Sequence, residues 1–169
     1  MENDITDTRR EPRETAGAAE TLTAFLDYFR ATVVMKASGL SDSDGAKRLL
    51  PSLTTVSGLV RHLADVERHW FRNRMDGQHG VPARWTAGDP DAEFKVADGE
   101  SLAAIIEDYE AACRESRDVL ARYALDERCR GGGGAQSVRW VVVHMIEETG
   151  RHCGHLDILR ELLDGTTGD

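Results

Sequence analysis

The segment from Val141 to Leu163, VVVHMIEETGRHCGHLDILRELL, places ionisable side chains inside a helical apolar stripe. Successive residues of an α-helix are rotated by about 100°. One face of this helix therefore carries Val141, Met145, Leu156, Leu159 and Leu163. Glu148 and His152 fall within or beside the same sector. Because burial of an unpaired carboxylate costs on the order of several kcal/mol, the sequence predicts that a proton, a cation or a metal ion lies opposite Glu148.

Apolar residues that recur every three or four positions predict four long helices in all. These helices are expected at residues 18–37, 54–75, 101–123 and 137–163. Alternation typical of strands is absent, so the pattern favours an all-α fold, a four-helix bundle that spans residues 18–165 as one domain. The polar segment 1–17 is expected to be a flexible tail.

Two connections between the helices have distinct compositions. Residues 77–99 contain two prolines and several glycines, which predicts a long loop of the kind that often carries function. Residues 131–134 are four consecutive glycines and are expected to be flexible. This run is not a phosphate-binding loop, because no strand precedes it and no Lys-Ser/Thr follows it.

Charge and cysteine content exclude several classes of function. The 30 acidic and 21 basic residues leave a formal charge of -9, the wrong sign for a nucleic-acid partner or an anionic membrane surface. With neither a long apolar run nor a secretory signal, a cytoplasmic location is expected. The three cysteines, Cys113, Cys129 and Cys153, lack CxxC spacing. They are therefore predicted to be reduced thiols rather than a disulfide framework or a zinc ribbon.

Spacing points to a metal centre on the last helix. Glu148 and His152 are four residues apart, so they lie on one face and are able to bind one ion together. A third ligand must come from another helix, where LVRHLADVERHWF supplies His62 and His69 two turns apart. His62 is better placed, beside the apolar positions of that helix. Two histidines, a carboxylate and an open position are typical of a catalytic divalent-metal centre.

Four side chains are predicted to surround such a centre without binding the ion: His144, His155, His69 and Trp85. The first two lie about one turn to either side of the Glu148–His152 pair, and Trp85 belongs to the 77–99 connection, where it would form a pocket wall. The structural alternative is a buried Glu148–His152 ion pair without a metal. The sequence identifies no separate general base, and the catalytic residues stay unknown.

The segment LVRHLADVERHWF, followed about seventy residues later by VRWVVVHMIEETGRHCGHLDILRELLDG, resembles the DinB-like superfamily, specifically its actinobacterial mini-circle branch. The resemblance extends to the opening segment TLTAFLDYFRATVVMKASGLSD. It implies a four-helix bundle in which one residue of the second helix and two of the last hold a metal ion. The matching positions are His62, Glu148 and His152. This triad is similar to that of the mycothiol-dependent maleylpyruvate isomerases.

The resemblance also implies an activity. A divalent ion, with zinc first and nickel, iron or manganese as alternatives, would bind a low-molecular-weight thiol such as mycothiol and lower its pKa. The thiolate would attack a small electrophile, which describes a transferase or an isomerase. A hydrolase that activates water and a non-catalytic bundle that binds a metal or a small ligand are the alternatives. A homodimer is a candidate assembly, because bundles of this size often pair through exposed helix faces.

Overall fold

A computed structural model describes residues 7, 9–81, 83–97 and 99–168 of the chain. Within these residues the secondary structure is helical, with the α-helices α1 (Ala18–Ala37), α2 (Asp42–Gly45), α3 (Val56–Glu67), α4 (Leu102–Leu120) and α5 (Val138–Asp164). In the bundle, α1 packs along α5 and α3 packs along α4. The predicted all-α bundle is confirmed, and its long helices begin and end close to the predicted residues.

Three of the long helices begin at a side-chain cap. The hydroxyl groups of Thr55, Ser101 and Ser137 each accept a hydrogen bond from a backbone N–H in the first turn of α3, α4 and α5. Such caps satisfy donors that have no partner inside the helix. The predicted apolar stripe of α5 is buried at Val141, Met145, Leu156 and Leu159. The face of α5 that carries Glu148 and His152 is therefore turned into the bundle.

The helix that begins at Val56 does not end at Glu67. It continues into a π-helix, Arg68–Met75. The predicted end of the helical segment at residue 75 is confirmed, but the sequence did not predict the π-helical winding. Glu67, Phe71 and Met75, four residues apart, are all fully buried. π-Helical turns are rare and occur frequently at functional sites.

A buried ion pair joins α1 to the start of this π-helix. The Arg30 guanidinium donates to both carboxylate oxygens of Glu67, with Nε–Oε1 at 2.8 Å and Nη2–Oε2 at 2.6 Å. The same guanidinium lies 5.4 Å from the centre of the Phe71 ring. A bidentate pair of this kind fixes both the separation and the rotation of the two helices.

The connection at residues 77–99 folds back onto α3 rather than extending into solvent. It contains a short 3-10 turn, Ala92–Phe94, that packs on α3. Gly58 of α3 permits this contact, because a Cβ atom there would lie 2.8 Å from the Phe94 carbonyl oxygen. Arg84 anchors the middle of the connection, since its backbone N–H donates to Asp65 Oδ2 at 3.1 Å and its Nη2 donates to Asp108 Oδ2 at 2.9 Å.

The first residue of the glycine run 131–134 packs closely against the end of the π-helix, and the expected flexibility of the run stays a prediction. The Gly131 N–H donates to the Arg74 carbonyl at 3.0 Å, and the Arg130 N–H donates to the Met75 carbonyl at 2.8 Å. A Cβ atom at Gly131 would collide with the Asn73 carbonyl oxygen. Gly131 therefore permits close backbone packing against the end of the π-helix.

Residues 1–6 and 8 of the predicted flexible tail lie outside the described residues, and the flexibility of the tail stays a prediction. In the part that is described, the Arg9 guanidinium lies 5.3 Å from the centre of the Tyr28 ring on α1. Cys113, Cys129 and Cys153 are buried and free, as predicted. Among the described residues, none of the helices combines the length and the apolar character that crossing a membrane requires.

The Arg30–Glu67 pair generates a prediction about stability. Glu67→Ala would leave the Arg30 charge buried without its bidentate partner, and we expect the free energy of unfolding to fall by about 3–5 kcal/mol. Urea denaturation followed by circular dichroism measures this change. The matched control is Glu20→Ala, which removes the exposed partner of Arg13 and should cost less than about 1 kcal/mol. Equal losses in the two variants would contradict the prediction.

Candidate metal centre

One carboxylate oxygen of Glu148 contacts two histidine side chains, one on each of two helices. Glu148 Oε1 of α5 lies 3.1 Å from His62 Nε2 of α3 and 3.2 Å from His152 Nε2, one turn further along α5. The three side chains expose only 12%, 9% and 10% of their surface, in the order His62, Glu148, His152. The structure therefore brings together the three residues that the sequence singled out, and we call them the trio.

The geometry of the trio fits a metal ion. Candidate ligand atoms of His62, Glu148 and His152 all lie within 4.8 Å of one another. Nitrogen and oxygen ligands about 2 Å from a tetrahedral ion lie roughly 3.3 Å apart, close to the two histidine–carboxylate distances observed. Two imidazoles and a carboxylate suit zinc and also nickel, iron or manganese. Three protein ligands would leave a position open for another molecule.

The second oxygen of Glu148 is held separately. Glu148 Oε2 pairs with Nη2 of Arg151, one turn further along α5. Hydrogen bonds from His152 and His62 keep the pKa of the Glu148 carboxyl well below its usual range, although burial alone would raise it. With Oε2 occupied by a guanidinium, Oε1 is the oxygen that is directed at the two imidazoles.

His62 is enclosed by the connection 77–99 as well as by α5. Its Nδ1 lies 2.9 Å from Glu93 Oε1, and its ring stacks on the Phe94 ring with centroids 4.8 Å apart and planes at 17°. Burial lowers the pKa of His62, but the neighbouring Glu148 and Glu93 carboxylates outweigh this effect and raise the pKa to about 9. The His62 ring thus lies between two carboxylates, one on each side.

Sequence reasoning did not identify Glu93, Phe94 or Arg151 as parts of the site. The first two belong to the 3-10 turn, whose position depends on how the whole connection folds back. A signal was available for Arg151, which lies three residues after Glu148 and hence on a neighbouring part of the same helix face.

His155, one of the predicted pocket residues, contacts the trio. Its Nδ1 lies 3.1 Å from Nδ1 of His152. Burial, together with the nearby His152 and Arg151, lowers the pKa of His155. A neutral imidazole is therefore expected next to the His152 ring at pH 7.

The other predicted pocket residues lie in an aromatic group beside the trio. His144 is one turn before Glu148 on α5 and sits between Trp70, at a ring distance of 4.5 Å, and Trp140, at 5.2 Å. His69, carried by the π-helix, packs against Trp85 with ring centroids 5.5 Å apart. Hence neither His144 nor His69 belongs to the trio, and the role of Trp85 as a pocket wall stays a prediction.

Two cavities of about 520 and 570 Å³ are both bordered by residues of α1 and α4, and neither is lined by a residue of the trio. The convergence of buried nitrogen and oxygen atoms distinguishes the trio instead. Among the residues that the structure describes, the trio is the group of His, Cys, Asp or Glu side chains whose ligand atoms are spaced closely enough to bind one metal ion.

Comparisons with known proteins agree with this architecture. The chain is similar to a conserved protein of known structure from Enterococcus faecalis, with 13% identity and a TM-score of 0.63 over 90% of this chain and 100% of that chain. At this identity the likeness shows the fold alone. The curated proteins include no match to the chain. A sequence model described as mycothiol-S-transferase matches residues 21–165, a range that contains the whole trio. The chain therefore belongs to the mycothiol-S-transferase family, a DinB-like family.

Proposed function

We propose that this protein is a metal-dependent transferase that activates a low-molecular-weight thiol, with mycothiol as the thiol and a small electrophile as the second substrate. The observation that carries the proposal is the convergence of His62 Nε2, His152 Nε2 and Glu148 Oε1 in a largely buried site. Membership of the mycothiol-S-transferase family supports the thiol. The donor set supports a divalent ion, for which zinc is the first choice.

In this proposal His62, Glu148 and His152 hold the ion and leave a coordination position for the thiol. A bound divalent ion supplies positive charge that lowers the pKa of a thiol, so that thiolate is available at neutral pH. Glu148 contributes one negative charge through Oε1, while Arg151 retains Oε2. The low exposure of the trio limits access of water, which strengthens the electrostatic interactions within the site.

The aromatic group beside the trio provides the surface next to the thiol. Trp140 is 48% exposed and stacks on His144, so an aromatic face is available to solvent about two turns before Glu148 on α5. Such a face suits an apolar or aromatic electrophile. We therefore place the second substrate on the Trp140 side of the trio.

Metal content tests the ligand set. Wild-type protein purified without an affinity tag should contain about one equivalent of divalent metal by elemental analysis, because three buried ligand atoms converge. His62→Ala, Glu148→Ala and His152→Ala should each lose it. His144→Ala is the matched control, since this histidine lies on α5 outside the trio, and it should retain the metal. Absence of metal from wild type, even after reconstitution, would leave the trio as a structural ion-pair network and refute the proposal.

Metal removal should also lower stability. An ion that binds only the folded state adds about 2.7 kcal/mol when its free concentration is one hundred times Kd. For a chain of this size, this corresponds to a rise in Tm of roughly 5–10 °C. Thermal unfolding of wild type with zinc and with a chelator measures the difference. His62→Ala should show no such difference, and an equal shift in that variant would place the ion elsewhere.

Thiol dependence tests the reaction. With metal-loaded protein, consumption of a chromogenic aromatic electrophile should require added mycothiol, because the nucleophile is the thiolate. Product formation followed by absorbance and mass spectrometry measures the transfer, with Glu148→Gln as the variant expected to fall to background. Turnover without any thiol would contradict this prediction and favour a hydrolase that activates water.

A further inference from the structure

The second ring nitrogen of His62 has an environment that the trio does not explain. Nδ1 is buried and makes no well-aligned hydrogen bond, yet it lies 2.9 Å from Glu93 Oε1. The Glu93 side chain is only 13% exposed. A carboxylate this close to an imidazole nitrogen is an acceptor for one N–H, so Glu93 is matched to a proton on Nδ1.

The turn Ala92–Phe94 keeps Glu93 in this place through contacts of its neighbour. Phe94 stacks on the His62 ring, and its carbonyl oxygen occupies space left by the missing side chain of Gly58. Lys95, the residue after the turn, pairs with Asp89 at 2.7 Å. The turn is therefore packed on α3 at the level of His62, and Glu93 is carried by a backbone segment that these contacts hold next to the His62 ring.

An imidazole that binds an ion through one nitrogen carries its proton on the other. A carboxylate that accepts this proton fixes the tautomer, orients the ring and makes the ligand more basic. We propose that Glu93 is a positioning residue for His62, which holds the proton on Nδ1 and directs the Nε2 lone pair toward the ion. This inference rests on the proposed function, because it assumes that the trio binds a metal.

The two histidines of the trio then differ as ligands. His62 Nδ1 faces a carboxylate, whereas His152 Nδ1 faces the imidazole of His155 at 3.1 Å. A carboxylate raises the basicity of its histidine more than a neutral imidazole does, because it stabilises positive charge on the ring. The connection 77–99 thus contributes to the metal centre through Glu93 without supplying a ligand.

Metal affinity measured with a chromophoric zinc chelator as competitor tests the inference. Glu93→Ala should raise the Kd for zinc by about 10–100-fold. Glu93→Gln should raise it less, since an amide oxygen still accepts the Nδ1 proton. The matched control is Asp91→Asn, which removes an exposed carboxylate next to the same turn and should leave Kd unchanged. Wild-type affinity in Glu93→Ala would overturn the inference while leaving the proposed function intact.

A spectroscopic readout separates positioning from a general loss of structure. In zinc-loaded wild type, the His62 Nδ1 proton should give a downfield, slowly exchanging NMR signal, because the inference places it in a buried hydrogen bond to Glu93. The signal should be lost in Glu93→Ala and retained in Glu93→Gln. Its retention in Glu93→Ala would overturn the inference even if the affinity fell.

If Glu93→Ala failed to fold, a Kd for Glu93→Gln equal to that of wild type would overturn it. If wild type bound no zinc, the proposed function would fail first.

Discussion

The negative charge of Glu148 is the constraint on which the arrangement of the site depends. A carboxylate on the inner face of a helix must be compensated, because its loss of hydration is costly. In this bundle α5 compensates it twice along its own length, with His152 at Oε1 and Arg151 at Oε2, while α3 contributes His62. The packing of α3 against α5 therefore determines the chemistry of the site as well as the shape of the core.

A second buried carboxylate, Glu67 at the end of α3, has a different role. The Arg30–Glu67 pair is closed on itself, since both carboxylate oxygens are bound by one guanidinium. Glu148 Oε1, in contrast, is shared by two imidazoles that are able to exchange a proton for an ion. The π-helix starts directly after Glu67, and it carries His69 and Trp70 to the aromatic group beside the trio.

Much of the fold and the centre of the site could be predicted from the sequence. The stripe of α5 and the four-residue spacing of Glu148 and His152 follow from helix geometry alone, and His62 follows from its place among apolar residues of α3. These are local patterns, in which the side-chain direction depends only on the helical repeat. Their role as metal ligands stays a proposal that the sequence and the structure support together.

The remaining features depend on contacts between distant residues, which local patterns do not encode. The position of Glu93 depends on how the connection 77–99 packs on α3. In the sequence of α3, this packing is reflected in Gly58, where a side chain would collide with Phe94. The local sequence pattern does not predict the π-helical winding of Arg68–Met75, and Gly131 is held by a carbonyl group near the end of that helix. At Gly131 the structure requires the absence of a side chain, which the composition of the run did not predict.

The pairing of Arg151 with Glu148 has an electrostatic consequence for the thiol. A divalent ion in the trio would be surrounded by two carboxylates, Glu148 and Glu93, and by one guanidinium, Arg151. Together these charges leave the centre with a single positive charge inside a chain whose formal charge is -9. One thiolate would neutralise this centre, whereas a neutral water or a protonated thiol would not. Local charge balance would therefore select the ionised nucleophile in a protein whose overall field repels anions.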